Sequence, residues 1–327
     1  MPASKHPSAD ESAFASAEAT EARVIVLGAT GFLGRHVRSM LQRHGIEHVS
    51  VGHTPGPDVD AATDLVTATQ HELGELLRAI RPTAVINCAG AVRGTAQNLM
   101  RGNAVAVHTL LAAMASSAPN ARLVQLGSSA EYGGAEPGHR MDEQTPAAPS
   151  SPYGYSKLAA TELVLQARDQ GLSGVVFRVF NVSGPESPTS TMLGRLVDEL
   201  RNVVPDTALG LDSLDGWRDY VDVRDVAEAA CRAAVMAETP PAVINIGRGE
   251  AVQTGDWVHT LLRVSGTGAR IVLRSDSHGN HKASVSAVAW QCADITLAKR
   301  ALNWAPAIDL ATSIRDTWSA ATETVQA

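Results

Sequence analysis

Cysteine is scarce in this 327-residue chain, which has three, at Cys88, Cys231 and Cys292. Widely spaced and odd in number, they offer neither a disulfide framework nor a CxxC metal site; they are read as buried small hydrophobes, and no metal is expected. Aromatic residues are also few, at 4% of the chain. Basic residues are not in excess: 27 Lys and Arg face 34 Asp and Glu, a net charge of -7. That balance lacks the clustered positive charge that a nucleic acid or an anionic membrane surface requires, so neither is expected as a partner. No run approaches the roughly 18 apolar residues of a membrane span. The opening MPASKHPSADESAFASAEATEA lacks the charged start and apolar core of a signal peptide, so a cytoplasmic location is expected. Residues 1–21, rich in Ala, Ser, Glu and Pro and without apolar periodicity, are read as a mobile tail.

What the chain does have is 44% hydrophobic residues, enough for a sizeable core. Short apolar runs alternate with helical patterns. RVIVLG (23–28), EHVSVG (47–52), TAVINCAG (83–90), ARLVQLGSS (121–129) and GVVFRVF (174–180) read as strands. Between them, helical spacing occupies 31–45, 71–80, 103–117 and a segment starting near Tyr153. Nearly continuous Val/Ile/Leu strands joined by helices predict a doubly wound parallel α/β sheet. From Gly184 onward the pattern becomes irregular, and 218–237 returns to strand and then helix. The expected organisation is a dinucleotide-binding domain over 22–183 with a return segment at 217–247. A smaller, interleaved substrate-binding domain takes the rest of 184–327.

GATGFLG, with Gly28, Gly31 and Gly34, lies where the first strand turns into the first helix. Such a turn needs residues without Cβ, so that the backbone and the helix N-terminal amides can approach a pyrophosphate. The acid that would bind a ribose 2′-hydroxyl at the end of the second strand is missing; Gly52, His53 and Thr54 stand there. Arg35, with His53 as a weaker candidate, could meet a 2′-phosphate instead. This favours NADP(H) over NAD(H), although a solvated surface Arg gives the same sequence. Asp64 is a candidate adenine contact, and NCAG at 87–90 puts small residues beside the crevice, with Cys88, Ala89 and Gly90 as candidates.

Tyr153 and Lys157 in SPYGYSKLAA are spaced i, i+4 and so share one helix face, whereas Tyr155 turns to roughly the opposite side. An ordinary phenol, with a pKa of about 10, is a poor acid-base group near neutrality. An ammonium one turn away stabilises the phenolate. Ser128 and Ser129 end the fourth apolar strand, where doubly wound sheets bind ligands, and a hydroxyl there can hold a substrate carbonyl. A serine pair also simply ends strands and starts turns.

GATGFLG, NCAG, the serine pair followed by EYGG, PYGYSK, FRVFNVSGP, WRDYVDVRDVA and the closing DITLAKRALNWAPAIDL occur in this order. In this the chain resembles the extended short-chain dehydrogenase/reductase superfamily, specifically its nucleotide-sugar epimerase/dehydratase/4-ketoreductase group, over about residues 22–320. The resemblance implies Tyr153 as acid-base, Lys157 on the cofactor ribose, and a serine polarising the carbonyl. Counting back from Tyr132 selects Ser128, with Ser129 kept open. It further implies a structural asparagine at Asn103, and Asn181 and Arg218 facing a sugar nucleotide's diphosphate; Arg218 could alternatively pair with Asp219 or Asp222. The candidate cofactor set is completed by Thr30, Phe32, Leu33, Leu65, Asn103 and Phe180, and the candidate substrate set by Arg93 and Glu131.

The 4,6-dehydratases of the group carry an acid pair just after the catalytic threonine. Here Ala130-Glu131 follows the serines, with Glu131 either a surviving acid or a solvated loop residue. The expected reaction is therefore NAD(P)H-dependent reduction of the 4-keto group of a nucleoside-diphosphate-4-keto-6-deoxyhexose. A 4-epimerase or dehydratase that keeps its cofactor is the first alternative. A ketoreductase for a non-sugar ketone, or a non-catalytic dinucleotide sensor, is the second. A homodimer is an expectation from the resemblance.

Overall fold

A computed structural model describes residues 22–202, 208–211, 214–273 and 289–323. The segment read above as a tail lies outside them. The apolar runs form β1 (Arg23–Leu27), β2 (Glu47–Gly52), β3 (Ala61–Ala62), β4 (Ala84–Asn87), β5 (Arg122–Leu126) and β6 (Gly174–Val179). Between them run α1 (Phe32–Arg43), α2 (Gln70–Ile80), α3 (Ala96–Met100), α4 (Ala106–Ser117) and α5 (Pro152–Asp169).

With β10 (Val243–Ile246), these strands build a seven-stranded sheet in the order β10-β6-β5-β4-β1-β2-β3, with every pairing parallel. Helices bury both faces. Val24 and Val26 of β1 belong to one core cluster and Ile25 and Leu27 to another, all at most 2% exposed. This is the two-residue alternation of a strand covered on both sides. The sheet is the predicted doubly wound one. Its order reverses between β1 and β4, which opens a crevice at the carboxyl ends of the strands.

Two boundaries differ from the periodicity. The helix read at 103–117 begins at Ala96 and passes through a π-helical turn at Arg101–Val105 before α4. Gly102, where a Cβ would lie 2.9 Å from that of Ala91, lets this turn press against the loop after β4. Glycine and asparagine are poor helix formers, so they hide the early start. The strand read at 121–129 stops at Leu126, and Ser129–Glu131 form a 3₁₀ turn instead.

The remainder comprises β7 (Asn181–Ser183), α6 (Met192–Arg201), β8 (Ala208–Leu211), β9 (Trp217–Asp222), α7 (Val223–Val235), β11 (Ala251–Gln253), α8 (Thr254–Ser265), β12 (Arg270–Leu273), α9 (Thr296–Leu302) and α10 (Leu310–Glu323). A small sheet β11-β9-β7 and a pair β12-β8 share a core that includes Leu196, Tyr220, Trp257 and Ile314. Tyr220 and Trp257 stack at 5.4 Å. Helix α7 then returns to the large sheet, where its Val226 and Cys231 pack in one cluster with Val37 of α1. Among the described residues, no helix is long and apolar enough to cross a membrane.

Candidate functional site

The turn from β1 to α1 depends on two glycines. Gly28 has φ +70°, and a Cβ there would lie 2.8 Å from the Ala89 amide nitrogen. A Cβ on Gly34 would overlap the Gly28 carbonyl. Gly31 caps α1 with no side-chain hydrogen bond, so the amides of Phe32 and Leu33 face the crevice mouth without intrahelical acceptors. Bare backbone at a helix N-terminus, in a cradle that side chains would fill, suits a pyrophosphate. Beside it lies a cavity of about 220 Å³ lined by Gly28, Gly52, His53, Asp64, Leu65 and Gly90. Of the cofactor candidates, Gly28, His53, Asp64, Leu65, Ala89 and Gly90 line this cavity, whereas Cys88, Asn103 and Phe180 do not.

Asp64 uses its carboxylate locally. Oδ1 accepts from the Val66 amide (2.9 Å) and Oδ2 from the Thr67 hydroxyl (3.1 Å), with His53 Nδ1 3.6 Å away. Cys88 turns its sulfur into the core, where burial pushes the thiol up to about 12. Phe180 is a core side chain, 3% exposed and packed near Tyr132 and Met141, not a crevice residue. Asn103 is a pin: its Oδ1 accepts from the Ala91 amide (2.9 Å), and its Nδ2 donates to the Ala91 carbonyl (2.8 Å) and Ser156 Oγ (2.9 Å). It holds the Gly90–Ala91 loop against α5, with both Nδ2 hydrogens used inside the chain.

Arg35 is exposed but engaged. Its Nε lies 2.6 Å from Glu186, and it also donates to the Thr30 carbonyl (2.9 Å). A 2′-phosphate at Arg35 would therefore share the guanidinium with Glu186.

Helix α5 opens at Pro152, with Ser151 as its cap accepting from the Gly154 amide (3.1 Å). A Cβ on Gly154 would overlap the Ala130 carbonyl, so this glycine lets the helix touch the serine turn. Lys157, 7% exposed, donates to the Leu126 carbonyl at the end of β5 (2.9 Å). Ser156 Oγ donates to the Tyr153 carbonyl (2.8 Å), which links Asn103 to the first turn of the helix. Tyr153 is half-buried, whereas Tyr155 is 59% exposed and points away. Of the serine pair, Ser128 is half-buried and Ser129 is buried at 5%.

The substrate-side candidates divide. Arg93, in the loop after β4, donates to the Ser190 carbonyl ahead of α6. Asn181 pairs in register with Tyr220, two residues from Arg218, so the strand alternation puts Asn181 and Arg218 on one face of the small sheet. Arg218 is half-buried, and burial lowers its pKa. Neither predicted acid takes it. Asp222 pairs with Arg224 (2.8 Å), and Asp219 is fully buried, accepting from the amides of Arg248 (2.6 Å), Gly249 (2.9 Å) and Ala293 (3.0 Å).

Glu131 is neither a substrate contact nor a solvated acid. It is 0% exposed: Oε1 accepts from the Ser128 amide (2.8 Å), and Oε2 from Thr161 Oγ1 (2.8 Å) and Arg178 Nε (3.0 Å). Thr161 and Arg178 carry no motif of their own in the sequence. The available signal was an arginine inside the apolar strand GVVFRVF, which must find a buried partner.

The family model described as NAD dependent epimerase/dehydratase family matches residues 24–247. A dTDP-6-deoxy-L-talose 4-dehydrogenase (NAD(P)(+)) from Kitasatospora kifunensis is 37% identical over 310 residues, 91% of this chain and 95% of that protein. A GDP-6-deoxy-D-mannose reductase from Pseudomonas aeruginosa is 28% identical over 76% of this chain and 79% of its own length. Among solved structures, MoeE5 in complex with UDP-glucuronic acid and NAD superposes with a TM-score of 0.81 at 26% identity, covering 92% of this chain and 99% of MoeE5.

Proposed function

From the premise that the chain belongs to the NAD-dependent epimerase/dehydratase family, as an NAD(P)-dependent enzyme of the extended short-chain dehydrogenase/reductase type, we propose its reaction. It reduces the 4-keto group of a nucleoside-diphosphate-4-keto-6-deoxyhexose, with NADP(H) favoured as cofactor. The observation that carries this reading is the placement of Lys157: buried, fixed to the end of β5, and on the helix face of Tyr153. The relatives supply the substrate class, since the names of two of them place the chemistry on 6-deoxyhexose nucleotides.

The groove over Gly28, Gly31, Phe32, Leu33 and Gly90, with Lys157, would hold the cofactor, which when bound would supply the hydride for C4 of the sugar. Every remaining task falls to the chain. Ser128 donates a hydrogen bond to the C4 oxygen, and the Tyr153 hydroxyl delivers a proton to it. The ammonium of Lys157 stabilises the phenolate left behind. Arg218 and Asn181 hold the diphosphate, the guanidinium in bidentate fashion. Dehydration would need an acid pair past the serine; Ala130 has no acid, and the Glu131 carboxylate is buried and engaged by three donors of the chain itself.

The test mixes the protein with an NDP-4-keto-6-deoxyhexose and NADPH or NADH and follows the reduced-nicotinamide absorbance. One mole of cofactor oxidised per mole of sugar reduced is the expected result. Sugar isomerised with no net oxidation would replace this reading with epimerisation.

A further inference from the structure

We propose that Glu131 is a positioning residue that sets the distance between Ser128 and Tyr153. The inference rests on the roles given above to those two residues. Three elements meet at one buried carboxylate. Oε1 receives the backbone N–H of Ser128 itself, where β5 ends. Oε2 receives the Thr161 hydroxyl, and Thr161 lies on α5 at the spacing that continues Tyr153 and Lys157 along one helix face. The same oxygen receives Nε of Arg178 from β6.

The clamp is anchored behind as well. The Arg178 guanidinium lies 4.4 Å over the Tyr132 ring, whose hydroxyl donates to Asn245 Oδ1 of β10 (2.8 Å). Gly127 makes room, since a Cβ there would fall 2.6 Å from Oε1. The Ser128 side chain meanwhile caps its own turn, with Oγ accepting from the Ala130 amide (3.2 Å).

Stability alone does not account for this arrangement. A buried ion pair is commonly replaceable by apolar residues of similar volume with no loss of stability. What apolar residues cannot supply is a common acceptor for the serine amide and the catalytic helix, and reacting groups displaced by about 1 Å lose on the order of 100-fold in rate.

Three variants test this. Glu131→Gln removes the charge and turns an amide N–H₂ towards donors. In it, the Ser128 amide should exchange with deuterium faster, and kcat should fall on the order of 10-fold to 100-fold, with the sugar KM and cofactor Kd unchanged. Glu131→Leu/Arg178→Met, which removes the ion pair whole, should be more stable than Glu131→Leu with Arg178 left unpaired, yet regain none of the lost kcat. Recovery of kcat together with stability in the double variant would show a purely structural role and overturn the proposal, as would an unchanged Ser128 amide exchange rate. That exchange rate is measured without substrate, so it decides the inference even if the wild-type protein proves not to be a ketoreductase.

Discussion

Gly90 and Lys157 lie so close together that a Cβ on the glycine would sit 3.2 Å from Lys157 Nζ and 2.7 Å from Asn103 Oδ1. Neither neighbour can retreat easily, because Asn103 is tied to Ala91 and Ser156, and Lys157 to Leu126. Gly90→Ala should therefore weaken cofactor binding by about 10-fold or more, the scale of about 1–3 kcal/mol for overpacking. Titration of NADPH against protein fluorescence reads this directly, and an unchanged Kd would mean that the loop yields.

Tyr153→Phe removes only a hydroxyl. Cofactor affinity should hold while kcat falls roughly 10²-fold to 10⁴-fold, the usual contribution of a positioned acid-base group. Substantial retained turnover would transfer the proton to another donor.

Arg218→Lys keeps the charge but loses the planar fork. The sugar-nucleotide KM should rise by about 10-fold to 100-fold, as expected when one strong charge-assisted interaction of about 1.5–3 kcal/mol is lost, with the cofactor Kd unmoved. A drop in kcat at constant KM would place Arg218 elsewhere in the cycle.

Asp219 supplies a pH-dependent prediction. Burial pushes its carboxyl up to about 6, against three amide hydrogen bonds that pull it down. The unfolded chain titrates near 4, so between these values the folded protein binds the proton more tightly. The contribution is fully present below about pH 4 and is lost as pH rises through about 6. Two units correspond to about 3 kcal/mol as an upper scale. In urea unfolding, the stability advantage of the wild type over Asp219→Asn should shrink from about pH 4 to about pH 7. A constant difference would show that the carboxyl titrates normally.

Arg35→Ala should reduce NADPH affinity more than NADH affinity, by about 10-fold in the ratio, if the guanidinium meets a 2′-phosphate through a charge-assisted bond. Equal effects on both cofactors would leave Arg35 as the partner of Glu186 and the Thr30 carbonyl alone.

The large sheet was legible because its strands are buried on both faces and read as unbroken apolar runs. The glycine loop and the Tyr153–Lys157 spacing were legible for a related reason: they are local, set by the turn and the helix in which they sit. What could not be read joins distant parts of the chain. Glu131 looks like a loop acid among small residues, and its meaning depends on Arg178, 47 positions away. Asp219 stands next to Arg218 in sequence, yet it is claimed by amides 29 to 74 positions on. Arg178 declares its burial by standing inside an apolar strand, but which acid it meets, and which amides Asp219 meets, periodicity does not reveal.

The seventh strand has a consequence for synthesis. β10 pairs with β6 from Val243↔Val176 to Ile246↔Val179, after the chain has left the sheet to build β7, α6, β8 and β9. Until the residues through Ile246 have emerged from the ribosome, β6 stands as a bare edge: fully buried in the finished protein, apolar but for Arg178, and open to any other strand. The nascent protein is thus most exposed to mispairing during the very interval in which β7 to α7 are being made. A chain that ends before Val243 never leaves that state.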